Sequence, residues 1–379
     1  MSERDKQEHG RVRLTGWPSV LHPLHGCGFR RFWVHYFQNW PYNLRSLHVR
    51  LGGMLAVTAR LPQAISEACL HNAAIAREPL EHGPVFLIGH WRGGTTHLHN
   101  LLSQDEQFAW ISFFRSAMPL DCLGKLRCGR TLMKLTMPKT RGMDNVPIDA
   151  DTPQEEEVAL AALGDTSFFK CFYFPRKIEE HFEKAVLMQG LKPGEREKLA
   201  ENYRFLAQKM AYAYGGKTVL FKNPASTARM SFLKEVFPNA KFVHIVRDPY
   251  DVYPSMMKLW PRLLGALSWH NPRGIDFSEI TLSFYEKMMK AHLAERDSIP
   301  AEDFHEVRYE DLDRDPQAVI KGVYEALDLP VTDAATGAIS KYIDSQRSYQ
   351  KNTHQLPDAI REAIAERWGF AFERWWYER

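Results

Sequence analysis

An apolar run, Pro84-Val85-Phe86-Leu87-Ile88, leads directly into Gly89-His90-Trp91-Arg92-Gly93-Gly94-Thr95-Thr96. That order reads as a strand feeding a glycine-rich turn that opens a helix, which commits the chain to an α/β architecture. Glycines let successive backbone N–H groups turn toward one point, and the helix N-terminus adds the positive end of its dipole. The Gly-x-x-x-x-Gly frame is that of a phosphate loop, yet Thr95 stands where a triphosphate-binding loop has its lysine. The basic side chain sits inside the loop instead, at Arg92, as a rigid fork that is always charged. Gly93, Gly94, Thr95, Thr96 and His97 complete a candidate cradle for a compact anion. A glycine-rich turn that only joins a strand to a helix would use the same residue types.

A second junction sharpens the case. Lys241-Phe242-Val243-His244-Ile245-Val246 has the composition of a buried parallel strand, and Arg247-Asp248-Pro249-Tyr250-Asp251 follows at once. Asp248 suits a helix N-cap, Pro249 the first helical position and Asp251 the third. Arg247 therefore lies at a strand's carboxyl end, with Ser255 about two turns into the helix that follows. Pro254 removes a backbone donor there and is expected to bend the helix. An arginine beside a helix N-terminus is a second anion site. An Arg-Asp pair beside an ordinary capped helix, or the acidic strand end of an NTPase, would read alike.

Together these segments resemble the sulfotransferases that use 3′-phosphoadenosine 5′-phosphosulfate. The resemblance implies that Arg92, Gly94, Thr95 and Thr96 bind the 5′-phosphosulfate, and that Arg247 and Ser255 bind the 3′-phosphate. Phe221-Lys222-Asn223-Pro224 and Tyr309-Glu310-Asp311-Leu312 match two further segments of that family. The chain is most similar to the bacterial branch with a His-Trp-Arg loop, Lys-Asn-Pro and Pro-x-Glu-x-Glu, over residues 84 to 375. Tyr309 matches a tyrosine near the adenine. Arg347-Ser348-Tyr349-Gln350-Lys351-Asn352 resembles the stretch that covers the nucleotide, which implies contacts from Tyr349, Lys351 and Asn352, although the segment departs from the Arg-Lys-Gly form of the cytosolic branch.

Sulfuryl transfer needs an acceptor hydroxyl, a base for its proton and positive charge on the leaving phosphate. The resemblance assigns the last task to Lys222, with Arg92 opposite. In the cytosolic aryl and steroid branch a histidine lies two residues after the matched lysine; here that position is Pro224. The Pro-x-Glu-x-Glu pattern directs attention to Glu155 and Glu157 in Thr152-Pro153-Gln154-Glu155-Glu156-Glu157. Thr152-x-x-Glu155 is equally a helix capping box, so structural roles for the glutamates remain open. His99 is a third candidate base. It lies two residues after His97, so the two point to different faces of the helix and cannot both serve.

Composition agrees with a soluble globular enzyme: 379 residues, 44% hydrophobic and 25% charged, with a formal charge of +3 too small to imply nucleic-acid binding. Five cysteines lack paired spacing, which argues against a zinc site or a disulfide framework and for a reducing compartment. The N-terminus lacks a signal-peptide core and no apolar run is long enough to span a bilayer, so the expected location is cytoplasmic.

Residues 1 to 80 read as a helical N-terminal extension, 81 to 379 as the catalytic domain, and 105 to 215 as a largely helical insertion within it. Leu199, Tyr203, Leu206, Met210 and Tyr214 form a core-packing stripe that Gly215-Gly216 ends. Strands follow at 217 to 221, 241 to 246 and 304 to 309, with a mobile-looking stretch from Trp260 to Gly274. The aromatic, basic segment Phe29 to Trp40 suits a helix touching a membrane, and suits equally a helix packed on its own domain.

The expected fold is thus a P-loop NTPase-like parallel sheet flanked by helices. The expected activity moves a sulfuryl group from 3′-phosphoadenosine 5′-phosphosulfate to an alcohol, with a lipid or other hydrophobic alcohol favoured, and releases adenosine 3′,5′-bisphosphate. No metal is required, because the transferring group bears less charge than a phosphoryl group. Two rivals stand beside it: a nucleotide kinase or NTPase on the same sheet, and a non-catalytic protein that keeps a nucleotide pocket for a membrane or protein partner. Oligomeric state is not readable from the sequence.

Overall fold

The computed structural model describes residues 22–124, 128–137, 148–346 and 356–379. Five strands, β1 (Val85–Ile88), β2 (Phe108–Trp110), β3 (Thr218–Lys222), β4 (Lys241–Val246) and β5 (Phe304–Arg308), form one sheet in the order β2-β3-β1-β4-β5. Every pairing is parallel, with Leu87 opposite both Lys222 and Val243 and Ile88 opposite His244. Successive strands lie on either side of β1, so the order reverses there and opens a crevice at the carboxyl edge. The four segments singled out in the sequence leave that edge from β1, β3, β4 and β5.

Alternation along β1 explains how the sheet is covered. Phe86 and Ile88 enter one core with Leu199, Tyr203, Leu206 and Met210. Val85 and Leu87 enter another with Leu98, Leu101 and Val243. The helices concerned are the one opened by the loop, Thr95–Leu102, and the long Glu195–Tyr214 helix, which Gly215 ends in the left-handed conformation at φ 72°. Both sheet faces are therefore dry, as a continuous apolar strand requires.

One expectation is filled in and another is corrected. The segment read as a largely helical insertion also supplies β2, an edge strand of three residues and too short to show a period. The stretch from Trp260 to Gly274 is not loose at its start. The Pro249–Leu267 helix continues through Pro254 and Pro261, and Trp260 and Trp269 are fully buried. Composition suggested mobility because Pro, Gly and Trp mark loops as readily as tight packing.

The N-terminal helices, α1 (Phe29–Gln38), α2 (Leu47–Ala59) and α3 (Leu61–Ile75), have no core of their own. Leu24, Cys27, Phe32 and Val57 share one cluster with Trp260, Trp269 and Trp368. His22 bonds the carbonyl of Leu267 at 2.8 Å, and Asp165 gathers Arg31 and Lys170. On α3 the buried Glu67 pairs with the buried Lys209 and accepts from the N–H groups of Leu123 and Gly124. Leaving one member of such a pair alone in the interior costs about 3–5 kcal/mol. Lys209→Met is expected to lower the unfolding free energy by about that amount in urea titrations. Unfolding coincident with that of the natural protein would refute a structural role for the pair.

Candidate active site

Sterics at the sheet edge explain the glycines of the first loop. Gly89 has φ 145°, and a Cβ there would lie 2.3 Å from the carbonyl oxygen of Ile245 on β4. Its N–H donates to Thr227 Oγ1 at 2.7 Å. Gly94, the N-cap of the Thr95–Leu102 helix, has φ 100°, and a Cβ there would meet the Tyr309 ring at 2.3 Å. Arg92 is itself left-handed at φ 69°, a conformation unfavourable to a side chain and held by its surroundings. Trp91 anchors the turn by stacking on Phe168, with centroids 4.0 Å apart. His90 bonds the Trp91 carbonyl, and burial drives its imidazole down to about 3, so it is neutral.

The two anion pockets expected from the sequence meet. Arg92 Nε donates to Ser255 Oγ at 2.7 Å. Arg247, at the end of β4, donates from Nη1 to the Arg92 carbonyl at 3.3 Å, pairs with Asp251 at 2.9 Å and lies over the Tyr309 ring at 4.4 Å. Asp248 caps the following helix through the N–H of Tyr250. Its own N–H donates to Glu310, which also accepts from the Tyr377 hydroxyl. Arg92, Ser255, Arg247 and Tyr309 thus form one cationic, half-buried wall.

A lysine–carboxylate pair lies at the end of β3. Lys222, the last residue of that strand and 1% exposed, places Nζ 2.6 Å from Glu155 Oε1. The helix behind Glu155 starts at Glu156, with Glu155 as N-cap, three residues later than a capping box at Thr152 would put it. Thr152 Oγ1 accepts instead from the N–H of Asp149, so the capping box does not form.

Glu155, Glu156 and Glu157 have three different surroundings. Glu155 is 17% exposed and is the one of the three that keeps access to solvent. Glu157 is buried: Oε1 accepts from the Phe168 N–H at 2.5 Å, and Oε2 accepts from Asn223 at 2.5 Å and from the fully buried Arg229 at 3.2 Å. Arg229 also donates to the Tyr203 hydroxyl at 3.1 Å. Glu156 is wholly buried, and its Oε2 accepts from the Lys222 N–H at 3.2 Å. Burial first, and the neighbouring Glu157 and Glu155 after it, push the Glu156 carboxyl up to about 8.

His99 is fully buried, and burial with Lys222 nearby holds it well below the usual imidazole range. His97 and Thr96 are half-buried on the first turn, and Thr95 is buried. Tyr349, Lys351 and Asn352 lie outside the described residues. Arg229, Thr227 and Glu156 escaped the sequence reading. Arg229 and Thr227 follow Lys-Asn-Pro closely, but no local pattern marks a side chain whose partners are 66 to 138 residues away. Of metal-ligating types, His244, His292 and Glu306 converge among the described residues, and there His244 Nδ1 bonds Glu306 at 2.8 Å.

The Glu156 environment fixes a sign. A carboxyl held above its unfolded value of 4.5 binds its proton more tightly in the native state. That stabilisation is complete below pH 4.5 and is lost as pH rises through about 8. Glu156→Gln is therefore expected to gain on the natural protein in urea unfolding as pH rises from 4.5 to about 8, and to level off above it. A stability difference independent of pH would contradict it.

Comparison with known proteins gives the family and the fold. The model of the sulfotransferase family matches residues 84–333. The omega-hydroxy-beta-dihydromenaquinone-9 sulfotransferases of Mycobacterium bovis and Mycobacterium tuberculosis are each 30% identical over 378 residues, covering 97% of this chain and 94% of the relative. Among solved structures, the sulfotransferase STF9 of Mycobacterium avium superposes with a TM-score of 0.64 at 17% identity, over 98% of this chain and 96% of its own. STF1 of Mycobacterium tuberculosis H37Rv does so at 0.57 and 17%, over 92% and 90%. The chain belongs to the sulfotransferase family, and it is an enzyme that takes its sulfuryl group from 3′-phosphoadenosine 5′-phosphosulfate.

Proposed function

We propose that Glu155 is the general base, that Lys222 and Arg92 carry the leaving phosphate, and that Arg247 and Ser255 select the 3′-phosphate. The donor supplies a sulfuryl group already activated on a phosphate; the chain's own groups do the rest. Gly93, Gly94, Thr95, Thr96 and His97 lie on the loop and first helical turn; the N–H groups of Gly93 and His97 donate to the carbonyls of His90 and Gly94, and those of Gly94, Thr95 and Thr96 are the ones left to meet an anion. Tyr309, flat against Arg247, offers a ring face for the adenine side of the site. Glu155 takes the acceptor proton as the oxygen–sulfur bond forms. Lys222, 2.6 Å from that carboxylate, offsets negative charge on the oxygen released from sulfur. That juxtaposition of base and cation at the carboxyl edge of the sheet carries the reading.

Glu157 and His99 do not share the role of Glu155. Both Glu157 oxygens are engaged by Phe168, Asn223 and Arg229, and His99 is sealed from the cleft. Glu157 positions Lys222, because it binds the residue next to it.

The acceptor is a hydrophobic alcohol carried on a lipid. Support comes from relatives named for a menaquinone-derived substrate and from the apolar N-terminal helices. The acceptor's chain is then met at a membrane surface. Among the described residues no helix is long and apolar enough to cross a membrane, so the contact is peripheral.

Three substitutions test the assignment. Glu155→Gln is expected to lower kcat by about 10²–10⁴ with donor affinity unchanged. Glu157→Gln leaves Arg229 buried without its counter-ion and is expected to show first as a lower melting temperature. Equal loss of kcat in both variants, with both melting like the natural protein, would remove Glu155 from the role. Arg247→Ala is expected to weaken adenosine 3′,5′-bisphosphate about 10- to 100-fold while leaving ADP nearly unchanged, read by calorimetry. Unaltered discrimination between the two nucleotides would overturn the 3′-phosphate assignment.

A further inference from the structure

Ten of the thirteen large hydrophobic side chains exposed among the described residues fall between Phe29 and Leu70. Such concentration is a patch rather than the ordinary scatter of a soluble surface. Leu47, Leu51 and Leu55 are spaced four apart on α2, on one face, at 44%, 55% and 72% exposure. The opposite face sends Val49, Gly53 and Val57 into the protein. Phe37, Trp40 and Leu44 are exposed on α1 and its connection to α2, and Ile65 and Leu70 are exposed on α3. Phe29, Trp33, Val34 and Phe37 line an open apolar groove on α1.

Charge on the same segment has one sign. From Phe29 to Ser66 the sequence contains no aspartate or glutamate but five arginines, at 30, 31, 45, 50 and 60. Arg31 and Arg60 turn toward Asp165 and Asp121 of the catalytic part, and Arg50 is buried. Arg30, Arg45 and His48 stay at the exposed surface beside the apolar residues. An apolar face with tryptophan at its edge and cations but no acids beside it matches an anionic bilayer interface in both polarity and charge. The unit is also joined to the chemistry, because the turn Pro23–Gly26 packs on the Glu156–Leu163 helix whose N-cap is Glu155.

We propose that the surface formed by Phe37, Trp40, Leu44, Leu51, Leu55 and Ile65 seats on the headgroup layer of an anionic bilayer, with arginines at the phosphate level. The proposal rests on the lipid-acceptor reading above and names the surface that meets the lipid. Seating holds the cleft at the depth where a lipid alcohol presents its hydroxyl. The long apolar chain of the acceptor need not leave the membrane for the reaction.

The test uses the full chain and vesicles of phosphatidylcholine with or without phosphatidylglycerol. The natural protein is expected to co-sediment with the anionic vesicles and to be released by salt. Leu51→Glu/Leu55→Glu, both at exposed helical positions, is expected to bind them at least about tenfold more weakly. The variant should keep its circular dichroism and its affinity for adenosine 3′,5′-bisphosphate. Turnover of a long-chain alcohol in vesicles should fall with binding, while turnover of a short water-soluble alcohol stays within about twofold. Failure of the natural protein to bind anionic vesicles, or unchanged binding by the variant, overturns the proposal. So does a dimer in sedimentation velocity that the double substitution dissociates, since the face would then be covered by a second copy. Absence of turnover on every alcohol would count against the acceptor reading alone, with vesicle binding still deciding the surface.

Discussion

The arrangement of the site depends on one buried carboxylate. Glu157 is removed from water, and an isolated charge there would be prohibitive, so its surroundings must supply compensation. They do so with Arg229 and the Asn223 amide, both just after β3, and with the Phe168 N–H from a separate loop. The pairing therefore ties the Glu156–Leu163 helix to the end of β3 and to the loop that stacks under Trp91. Glu155 and Lys222 are neighbours of the tied residues on either side. Their 2.6 Å separation follows from a constraint set two residues away.

That tie works because the sheet has already collected the parts. A parallel sheet with the order β2-β3-β1-β4-β5 sends the carboxyl ends of four strands into one crevice. Close approach is then limited by backbone: Gly89 passes under the Ile245 carbonyl and Gly94 under the Tyr309 ring, distances that admit no side chain. The cost of the left-handed Arg92 is offset by what it gains, a guanidinium on Ser255 and a carbonyl for Arg247. Two cationic pockets separated by 155 residues in sequence thus become one wall.

The N-terminal helices divide their residues between two tasks. One face completes the aromatic core around Trp260 and Trp269, which binds the extension to the catalytic part. The other leaves leucines and aromatics facing outward, and from Phe29 to Ser66 the only charged residues are basic. A single aromatic, basic segment read alone fits either burial or exposure; here opposite sides of the same helices take one each.

Sequence alone determined the elements whose signal is local. Strand, glycine turn and helix at residues 84 to 102, the capped helix after Arg247 and the stripe on the Glu195–Tyr214 helix each rest on propensity, period and capping within a dozen or so residues. It also supplied the chemical types: arginines and hydroxyls for an anion, a lysine at a strand end, adjacent glutamates. Tertiary structure decided which glutamate stays partly exposed, because Glu155, Glu156 and Glu157 are indistinguishable by composition and differ only in their neighbours. It decided that Thr152 serves a turn rather than a cap, and that three residues near 109 join the sheet. It placed Arg229 under the site. Each of these depends on contacts between segments far apart in the chain, whose energies come from burial and pairing that a linear pattern does not encode.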